Sequence, residues 1–216
     1  MIKDRLVKLR SELIKKEVDA FLISQPKNRF YLSGFDGSDG YLLITAKNSI
    51  IATDFRYVEQ VKRQCPDYTL FQITGKMAEW FPELIDSLSI KRLAFESGAT
   101  TFAQYTQISE IIYTQKLPLE LVPTENVVEK MRSIKEPEEI IFIEKAAEIG
   151  DCAFEYVTDR LKIGMTEKKS PGRWKNICGR TVAKACPSKL LLAPAPMAPY
   201  HMPSLLTAPS LHMSLL

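Results

Sequence analysis

The sequence has no acidic residue after Glu167, and it has only two histidines, His201 and His212, both inside that acid-free stretch. A site for hard divalent metals needs several carboxylates. We therefore expect the two histidines to be solvated residues of a tail. The same absence leaves them without nearby carboxylates in the sequence with which to share a metal ion.

Paired cysteines and long apolar runs are also missing. No two cysteines have the Cys-x-x-Cys spacing, which favours reduced, unpaired thiols over disulfides or a zinc site. No run approaches the roughly 20 apolar residues of a membrane span, and the charged start of the chain is unlike a secretion signal. These features predict a cytoplasmic protein with no membrane partner. The cysteines are Cys65, Cys152, Cys178 and Cys186, the first two expected in or near the core.

The charge distribution argues against a nucleic-acid partner. The formal net charge is +3, but all 26 acidic residues and only 22 of the 29 basic ones lie within the first 167 residues. The basic excess therefore belongs to the tail. The charge of the first 167 residues gives no reason to predict a nucleic-acid-binding surface there. With 45% apolar residues, 216 residues can bury one good core, or one domain and the beginning of a second.

Hydrophobic periodicity predicts an α/β domain with a mixed sheet. Two β-branched and apolar runs flank a polar turn at residues 46–49, which indicates a β-hairpin. Pro26 is expected to end the first strand, and Asp54 to cap a helix. Strands are predicted at residues 19–24, 69–74, 92–96 and 119–123, and helices at 2–13, 56–65, 77–88 and from 101, the last with an apolar face of Phe102, Tyr105, Ile108 and Ile112.

The pattern changes at Val127. Residues 127–135 predict a short helix, and Pro137 lies in the first turn of a longer one, where proline is tolerated. The longer helix has a regular apolar seam, which predicts a partner surface. The seam residues are Ile140, Ile143, Ala147, Gly150, Phe154, Val157 and Leu161.

Residues 28–60 carry a specific motif. Asn-x-x-Tyr-Leu-Ser-Gly-Phe is followed by Gly-Ser-Asp-Gly and then by Thr-Asp-x-Arg-Tyr-x-x-Gln, in this order and spacing. The segment resembles the N-terminal domain of the pita-bread metallopeptidase family, which includes aminopeptidase P, prolidase and creatinase. The later phrases Arg-Ser-Ile-Lys and Gly164-Met165-Thr166-Glu167 also resemble that family. The resemblance is unbroken up to Lys168.

The resemblance implies a division of the chain. Residues 1–126 would form the creatinase/prolidase N-terminal-like domain, 127–135 a linker helix, and 136–169 the start of a truncated peptidase catalytic domain. Residues 170–216 would be an aberrant, disordered tail. Intact members bind two divalent metal ions (Mn, Co or Zn) between two Asp, one His and two Glu, and hydrolyse peptide bonds next to proline. Those ligands are not encoded here, so the resemblance implies no catalytic residue and no cofactor in this chain.

The same resemblance suggests a modest role in substrate binding. In intact oligomers the N-terminal domain can border an active-site entrance, so Asn28, Arg56 and Tyr57 are candidates to shape a substrate pocket. The peptide would be a partner only of the intact parent, and self-association is expected because the family dimerises. The simpler interpretation of Asp54 with Arg56 is a helix cap and a structural ion pair.

Three other residues have structural interpretations. Asp36 and Asp39 flank Gly37 and could suggest a calcium loop. The glutamate that closes an EF-hand loop is absent, so a turn is the better interpretation. Glu96, at the end of a strand, is expected to be structural.

The tail favours a frameshift over a natural low-complexity segment. Residues 170–216 hold seven of the 13 prolines and no acid. Residues 170–204 can be re-read in a shifted frame by joining the third base of each codon to the first two bases of the next codon. With permitted codon choices, the shifted frame encodes an amphipathic helix, a strand and the family phrase Ser-Gly-Pro-Asn…Pro-His. The first hypothesis is therefore a truncated, inactive Xaa-Pro metallopeptidase. The alternatives are a stand-alone interaction module that binds a related full-length subunit through the seam, and a small-molecule-binding α/β domain.

Overall fold

Residues 1–159 are the part of the chain that the computed structural model describes. Within it the strands are β1 (Ala20–Ile23), β2 (Tyr41–Thr45), β3 (Ser49–Thr53), β4 (Thr69–Gln72), β5 (Arg92–Glu96) and β6 (Glu120–Thr124). The helices are α1 (Ile2–Lys15), α2 (Pro26–Ser33), α3 (Val58–Gln64), α4 (Met77–Ser87), α5 (Phe102–Gln115), α6 (Val127–Ser133) and α7 (Pro137–Thr158), with a 3-10 turn at Phe55–Tyr57.

The six strands form one mixed sheet in the order β4-β3-β2-β1-β5-β6. Strand β2 is antiparallel to both of its neighbours, whereas β1 with β5, β5 with β6, and β3 with β4 are parallel pairs. Since β1 and β3 both run opposite to β2, they point the same way. The carboxyl ends of β1, β3, β4, β5 and β6 therefore lie along one edge of the sheet. The predicted α/β class with a mixed sheet is confirmed.

Helices cover both faces of the sheet. Phe21 and Ile23 of β1 belong to an apolar cluster with α1, α2, α3 and α6. Ala20 and Leu22 point the other way, into a cluster with α4 and α5. All four residues of β1 are buried, because a central strand covered on both faces has no wet side. The domain is thus a three-layer sandwich with β1 at its centre.

Helix α2 was not predicted from the sequence. Pro26 was expected only to end the first strand, and β1 does end at Ile23. Pro26 also begins α2, since its fixed φ and missing N–H suit the first turn of a helix. The helix ends at Gly34, whose φ of 77° is the left-handed conformation that glycine adopts without strain.

The predicted apolar face of α5 is partly wrong. Phe102 and Tyr105 are exposed, whereas Ile108 and Ile111 are buried against the sheet. Tyr105 still lies with its ring centroid 5.7 Å from that of Phe95. The face that packs is therefore rotated from the predicted one.

The first compact unit of the chain spans Met1–Glu139. The predicted divisions after residues 126, 135 and 169 remain predictions. In α7 the seam residues Ile140, Ile143 and Phe154 are exposed. No helix within residues 1–159 is long and apolar enough to cross a membrane.

The cysteine predictions have two outcomes. Cys65 is a buried free thiol, as expected. Cys152 is disulfide-bonded, so the expectation of an unpaired thiol is wrong there. Predictions for Leu161, residues 164–167, the tail from 170, Cys178, Cys186 and both histidines lie outside the described residues.

Candidate functional site

Polar side chains gather at the edge where five strands end. One group lies beyond β1, β5 and β6, and a second lies beyond β3 and β4. Open α/β sheets bind ligands outside the carboxyl ends of their strands, which makes this edge the candidate site.

Asn28 lies at the centre of the first group. It is fully buried in α2, and its amide nitrogen donates hydrogen bonds of 2.6 Å to Glu96 and 2.6 Å to Glu129. Its oxygen accepts a hydrogen bond of 2.9 Å from Arg132. The second Glu96 oxygen accepts the backbone N–H groups of Ser24 and Gln25, each at 2.8 Å, just before α2 begins.

Glu96 is held as a buried structural carboxylate, in agreement with its predicted role. Burial raises its pKa, and the hydrogen bonds from Asn28 and the two backbone N–H groups act in the opposite direction. All the polar atoms of the Asn28 side chain have partners within the fold. Its part in substrate binding remains a prediction for the intact oligomer.

The second group centres on Arg56, at the end of β3. Asp54 caps the 3-10 turn by accepting the Arg56 N–H at 2.9 Å, as predicted, and pairs with the guanidinium at 2.6 Å. The same guanidinium lies 3.6 Å from Asp39. The hydrogen bond from Arg56 lowers the pKa of Asp54. The Tyr57 hydroxyl lies 2.6 Å from the Ser38 hydroxyl.

The structure does not bring the three predicted residues into one cluster. Arg56 and Tyr57 follow β3, whereas Asn28 follows β1, and β2 lies between those two strands. Neighbouring strands are about 4.8 Å apart, so this interval alone is about 10 Å. The three residues share an edge of the sheet but belong to separate groups.

The buried Arg29 was missed by the sequence reasoning. Its side chain is 1% exposed and donates to the carbonyls of Gly37 (2.5 Å) and Gly40. No salt bridge to a carboxylate is found for it within residues 1–159. Desolvation lowers its pKa. No sequence signal distinguishes it from a surface arginine, because its partners are backbone carbonyls.

The acidic, histidine and cysteine side chains of residues 1–159 do not fit a dinuclear metal centre. Within residues 1–159 no three His, Cys, Asp or Glu side chains lie where they could hold a metal ion. Asp36 accepts hydrogen bonds from Gln60 (2.5 Å) and Gln64 (2.7 Å), so its carboxylate is engaged by side chains of α3. Glu96 and Glu129 converge only on the amide of Asn28.

Two cavities open along this edge of the sheet. A cavity of about 380 Å³ lies beside Glu96 and Glu129. A larger cleft of about 650 Å³ lies beyond β3 and β4, with Asp39 and Asp54 in its lining. Both sizes are in the range of small-molecule sites.

Comparison with known proteins places this fold in a family. Residues 5–134 match the creatinase/prolidase N-terminal domain. "Uncharacterized peptidase YqhT" of Bacillus subtilis is 36% identical over 163 residues, which are 76% of this chain and 45% of that relative. The chain therefore spans about half the length of the curated relatives it matches.

Solved structures agree with this assignment. The Xaa-Pro dipeptidase from Bacillus anthracis superposes with a TM-score of 0.75 and 29% identity, covering 84% of this chain and 50% of that one. The N-terminal domain of the cytoplasmic peptidase PepQ from Mycobacterium tuberculosis has a TM-score of 0.53 and 31% identity, covering 59% of this chain and 97% of that one. The chain belongs to the creatinase/prolidase N-terminal domain family of Xaa-Pro peptidases.

Proposed function

We propose that residues 1–135 are the non-catalytic N-terminal domain and linker of a cytoplasmic Xaa-Pro metallopeptidase, and that this chain alone does not hydrolyse peptides. The observation that carries the proposal is the family match over residues 5–134, in a region whose acidic side chains do not converge on a metal position. The parent reaction would be metal-dependent hydrolysis of a bond next to proline. A cytoplasmic location is supported by the description of PepQ as a cytoplasmic peptidase.

The truncation is part of the proposal. Dinuclear hydrolysis needs several carboxylates, and the 49 residues after Glu167 contain none. A frameshift after about Lys168 accounts for the abrupt change in composition there. Reading the nucleotide sequence in the other frames tests it. A second frame that encodes the missing Asp, Asp, His, Glu and Glu is the expected result, and the absence of such a frame would refute the frameshift.

The activity is tested with the purified 216-residue protein. It is incubated with an Ala-Pro dipeptide and with an Xaa-Pro-containing tripeptide, each with added Mn²⁺, Co²⁺ or Zn²⁺. A full-length Xaa-Pro dipeptidase is the positive control. We expect no metal-dependent product above the buffer blank. Release of product that scales with protein concentration and is abolished by EDTA would overturn the proposal.

The candidate role of Asn28, Arg56 and Tyr57 belongs to the intact oligomer. Arg56 is exposed and Tyr57 is partly exposed, which supports a place beside a pocket for these two. Asn28 is buried and would act only by holding α2 against β5 and α6. Restoring the second frame and then making Arg56→Ala tests the role. A higher KM with the same metal affinity is expected, and an unchanged KM would contradict it.

A second candidate function is a stand-alone interaction module. It is favoured by the exposed apolar residues of α7, including Ile140, Ile143 and Phe154. Such a face tends to associate with another surface. The expected partner is a related full-length peptidase subunit. Co-sedimentation with that subunit, lost in an Ile143→Glu variant but kept in a Glu144→Gln control, is the expected result.

A further inference from the structure

Arg5 is anchored between α1 and α2. It lies in the first part of α1, and its side chain is only 9% exposed. The Nη1 group donates to the carbonyl of Tyr31 at 2.9 Å, in the last turn of α2. The guanidinium carbon lies 3.9 Å from the centroid of the Tyr31 ring, so the cation also contacts an aromatic face. These contacts fix one side of the guanidinium without any part of α7.

The other side of the guanidinium binds the start of α7. Nε and Nη2 donate to the two carboxylate oxygens of Glu136 at 3.3 Å and 2.8 Å, a paired geometry that arginine supplies and lysine does not. Nη2 also lies 3.2 Å from a carboxylate oxygen of Glu139. We call Arg5, Glu136 and Glu139 together the Arg5 latch.

Glu139 also organises the first turn of α7. Its carboxylate accepts the backbone N–H of Glu136 at 3.0 Å. This contact is one half of a capping box, in which the third residue of a helix bonds the residue that precedes the helix. The first N–H groups of a helix have no partner inside it, so such contacts stabilise the first turn. The Arg5 latch therefore holds both the position and the geometry of the start of α7.

The connection between α6 and α7 is short and exposed. It consists of residues 134–136, and α6 ends at Ser133. Ile134 has an extended conformation, with φ −92° and ψ 110°, and both Ile134 and Lys135 are exposed. The Lys135 ammonium donates to the carbonyl of Arg132 at 2.8 Å, so it contacts α6. Hinges are connections of this kind, because a few residues between two elements can absorb a change in dihedral angles.

We propose that the Arg5 latch closes a hinge at Ile134 and Lys135. When the latch is closed, the first turn of α7 is held on α1 and α2. When the latch is open, that turn frays and the connection moves. The first compact unit ends at Glu139, so the latch acts where α7 continues beyond that unit. The proposal concerns the chain as it is and requires no hydrolysis, so it is independent of the proposed function.

Amide hydrogen exchange in the full 216-residue chain reports the state of the latch. In an α-helix the N–H groups of residues 140–143 bond the carbonyls of residues 136–139, so their exchange measures the opening of the first turn. The amides of β1 and β5 are followed in the same samples, because they report opening of the whole domain. The protein concentration is kept where the chain sediments as a monomer.

Two matched variants separate the latch from the charge of the helix start. Glu136→Met and Glu138→Met each remove one negative charge there, but Glu136 bonds Arg5 whereas Glu138 is exposed. Losing a hydrogen bond between charged groups corresponds to about a tenfold change or more. We expect residues 140–143 to exchange at least about tenfold faster in Glu136→Met. In Glu138→Met the change should stay below about threefold, the effect of one charge on the helix dipole.

A double variant tests whether Arg5 and Glu136 act together. Arg5→Met alone should accelerate exchange at residues 140–143 about as much as Glu136→Met does. Since the latch is then already open, adding Glu136→Met to Arg5→Met should change the exchange less than about twofold. A multiplied effect in the double variant would show that the two residues act separately, and would overturn the proposal.

Proteolysis tests the hinge itself. Endoproteinase Lys-C cleaves after lysine, and the fragment 1–135 is followed by mass spectrometry. Lys47, exposed in the β2–β3 turn, is the internal reference. The initial rate of cleavage after Lys135, relative to that after Lys47, should rise in Glu136→Met and stay at the parent value in Glu138→Met.

The remaining outcomes overturn the proposal. Equal exchange at residues 140–143 in Glu136→Met and Glu138→Met would assign the effect to charge alone. An unchanged rate of cleavage after Lys135 in Glu136→Met would show that the connection does not move. Faster exchange throughout β1 and β5 in Glu136→Met would assign the effect to the whole domain. None of these results depends on whether the chain hydrolyses peptides, so failure here is distinct from failure of the proposed function.

Discussion

Asn28→Asp tests whether the buried amide holds the first polar group together. The substitution keeps the shape of the side chain but replaces its two N–H donors by an oxygen. Those donors bond Glu96 and Glu129 at 2.6 Å each. A hydrogen bond to a charged group contributes about 1.5–3 kcal/mol, so losing two costs about 3–6 kcal/mol. The free energy of unfolding of a whole domain is only about 5–15 kcal/mol, so the substitution should destabilise this domain severely at pH 7.

The loss should depend on pH with a defined sign. The new carboxylate would lie beside two carboxylates, Glu96 and Glu129, and one cation, Arg132, so on balance its pKa should be raised, and its protonated form can donate one of the missing hydrogen bonds. The difference between variant and parent should therefore shrink as the pH falls from 7 to 5. Glu96 itself has a raised pKa, so its contribution to parent stability is fully present below its unfolded pKa and is lost as the pH rises through its folded pKa.

Urea unfolding followed by circular dichroism at pH 7 and pH 5 measures the difference. Asn48→Asp, at an exposed position in the β2–β3 turn, is the control and should stay within about 0.5 kcal/mol of the parent. The reasoning is refuted if the free energy of unfolding of Asn28→Asp lies within about 1 kcal/mol of the parent value at pH 7. It is also refuted if the difference between the two free energies grows as the pH falls.

Three further predictions concern other parts of the chain. Arg5→Met should lower the free energy of unfolding, measured by urea titration, by about 1–3 kcal/mol. Arg5 is buried, and it donates to Glu136 at 2.8 Å and to the Tyr31 carbonyl at 2.9 Å. An unchanged free energy of unfolding would show that these contacts do not stabilise the fold. Cys65, buried and with its pKa raised to about 11, should resist iodoacetamide at pH 8 until urea unfolds the chain, as followed by mass spectrometry. A chain ending at Lys135 should sediment as a monomer while the full chain self-associates through the apolar residues of α7, and identical monomers would contradict this.

The parts of the fold that were predicted correctly depend on local sequence. Strand β5 was predicted with the bounds it has, since five residues of strand-forming character end at a turn. The β2–β3 hairpin was predicted from two apolar runs around a polar turn at residues 46–49, and in the structure β3 begins one residue earlier, at Ser49. The Asp54 cap is also local, because donor and acceptor are two residues apart.

The parts that were missed depend on distant partners. Asn28 donates hydrogen bonds to Glu96 and Glu129, which follow it by 68 and 101 positions in the chain. Its burial therefore has no signature in the neighbouring sequence. In α5 the strand that it covers decides which side packs, and helical spacing alone allowed Phe102 to be placed inside. Arg29 resembles any surface arginine until the carbonyls of Gly37 and Gly40 are brought around it.

The pairing of β1 with β5 has a consequence for biosynthesis. Ala20 in the central strand lies beside Leu93, which is made 73 residues later. At about 5–20 residues per second, the ribosome needs roughly 4–15 s to synthesise the intervening chain. The β1–β2–β3 meander can form meanwhile, but it leaves one edge of the apolar strand β1 without a partner. That edge is a template for pairing with another nascent chain, so a chaperone that covers it should raise the yield of folded protein.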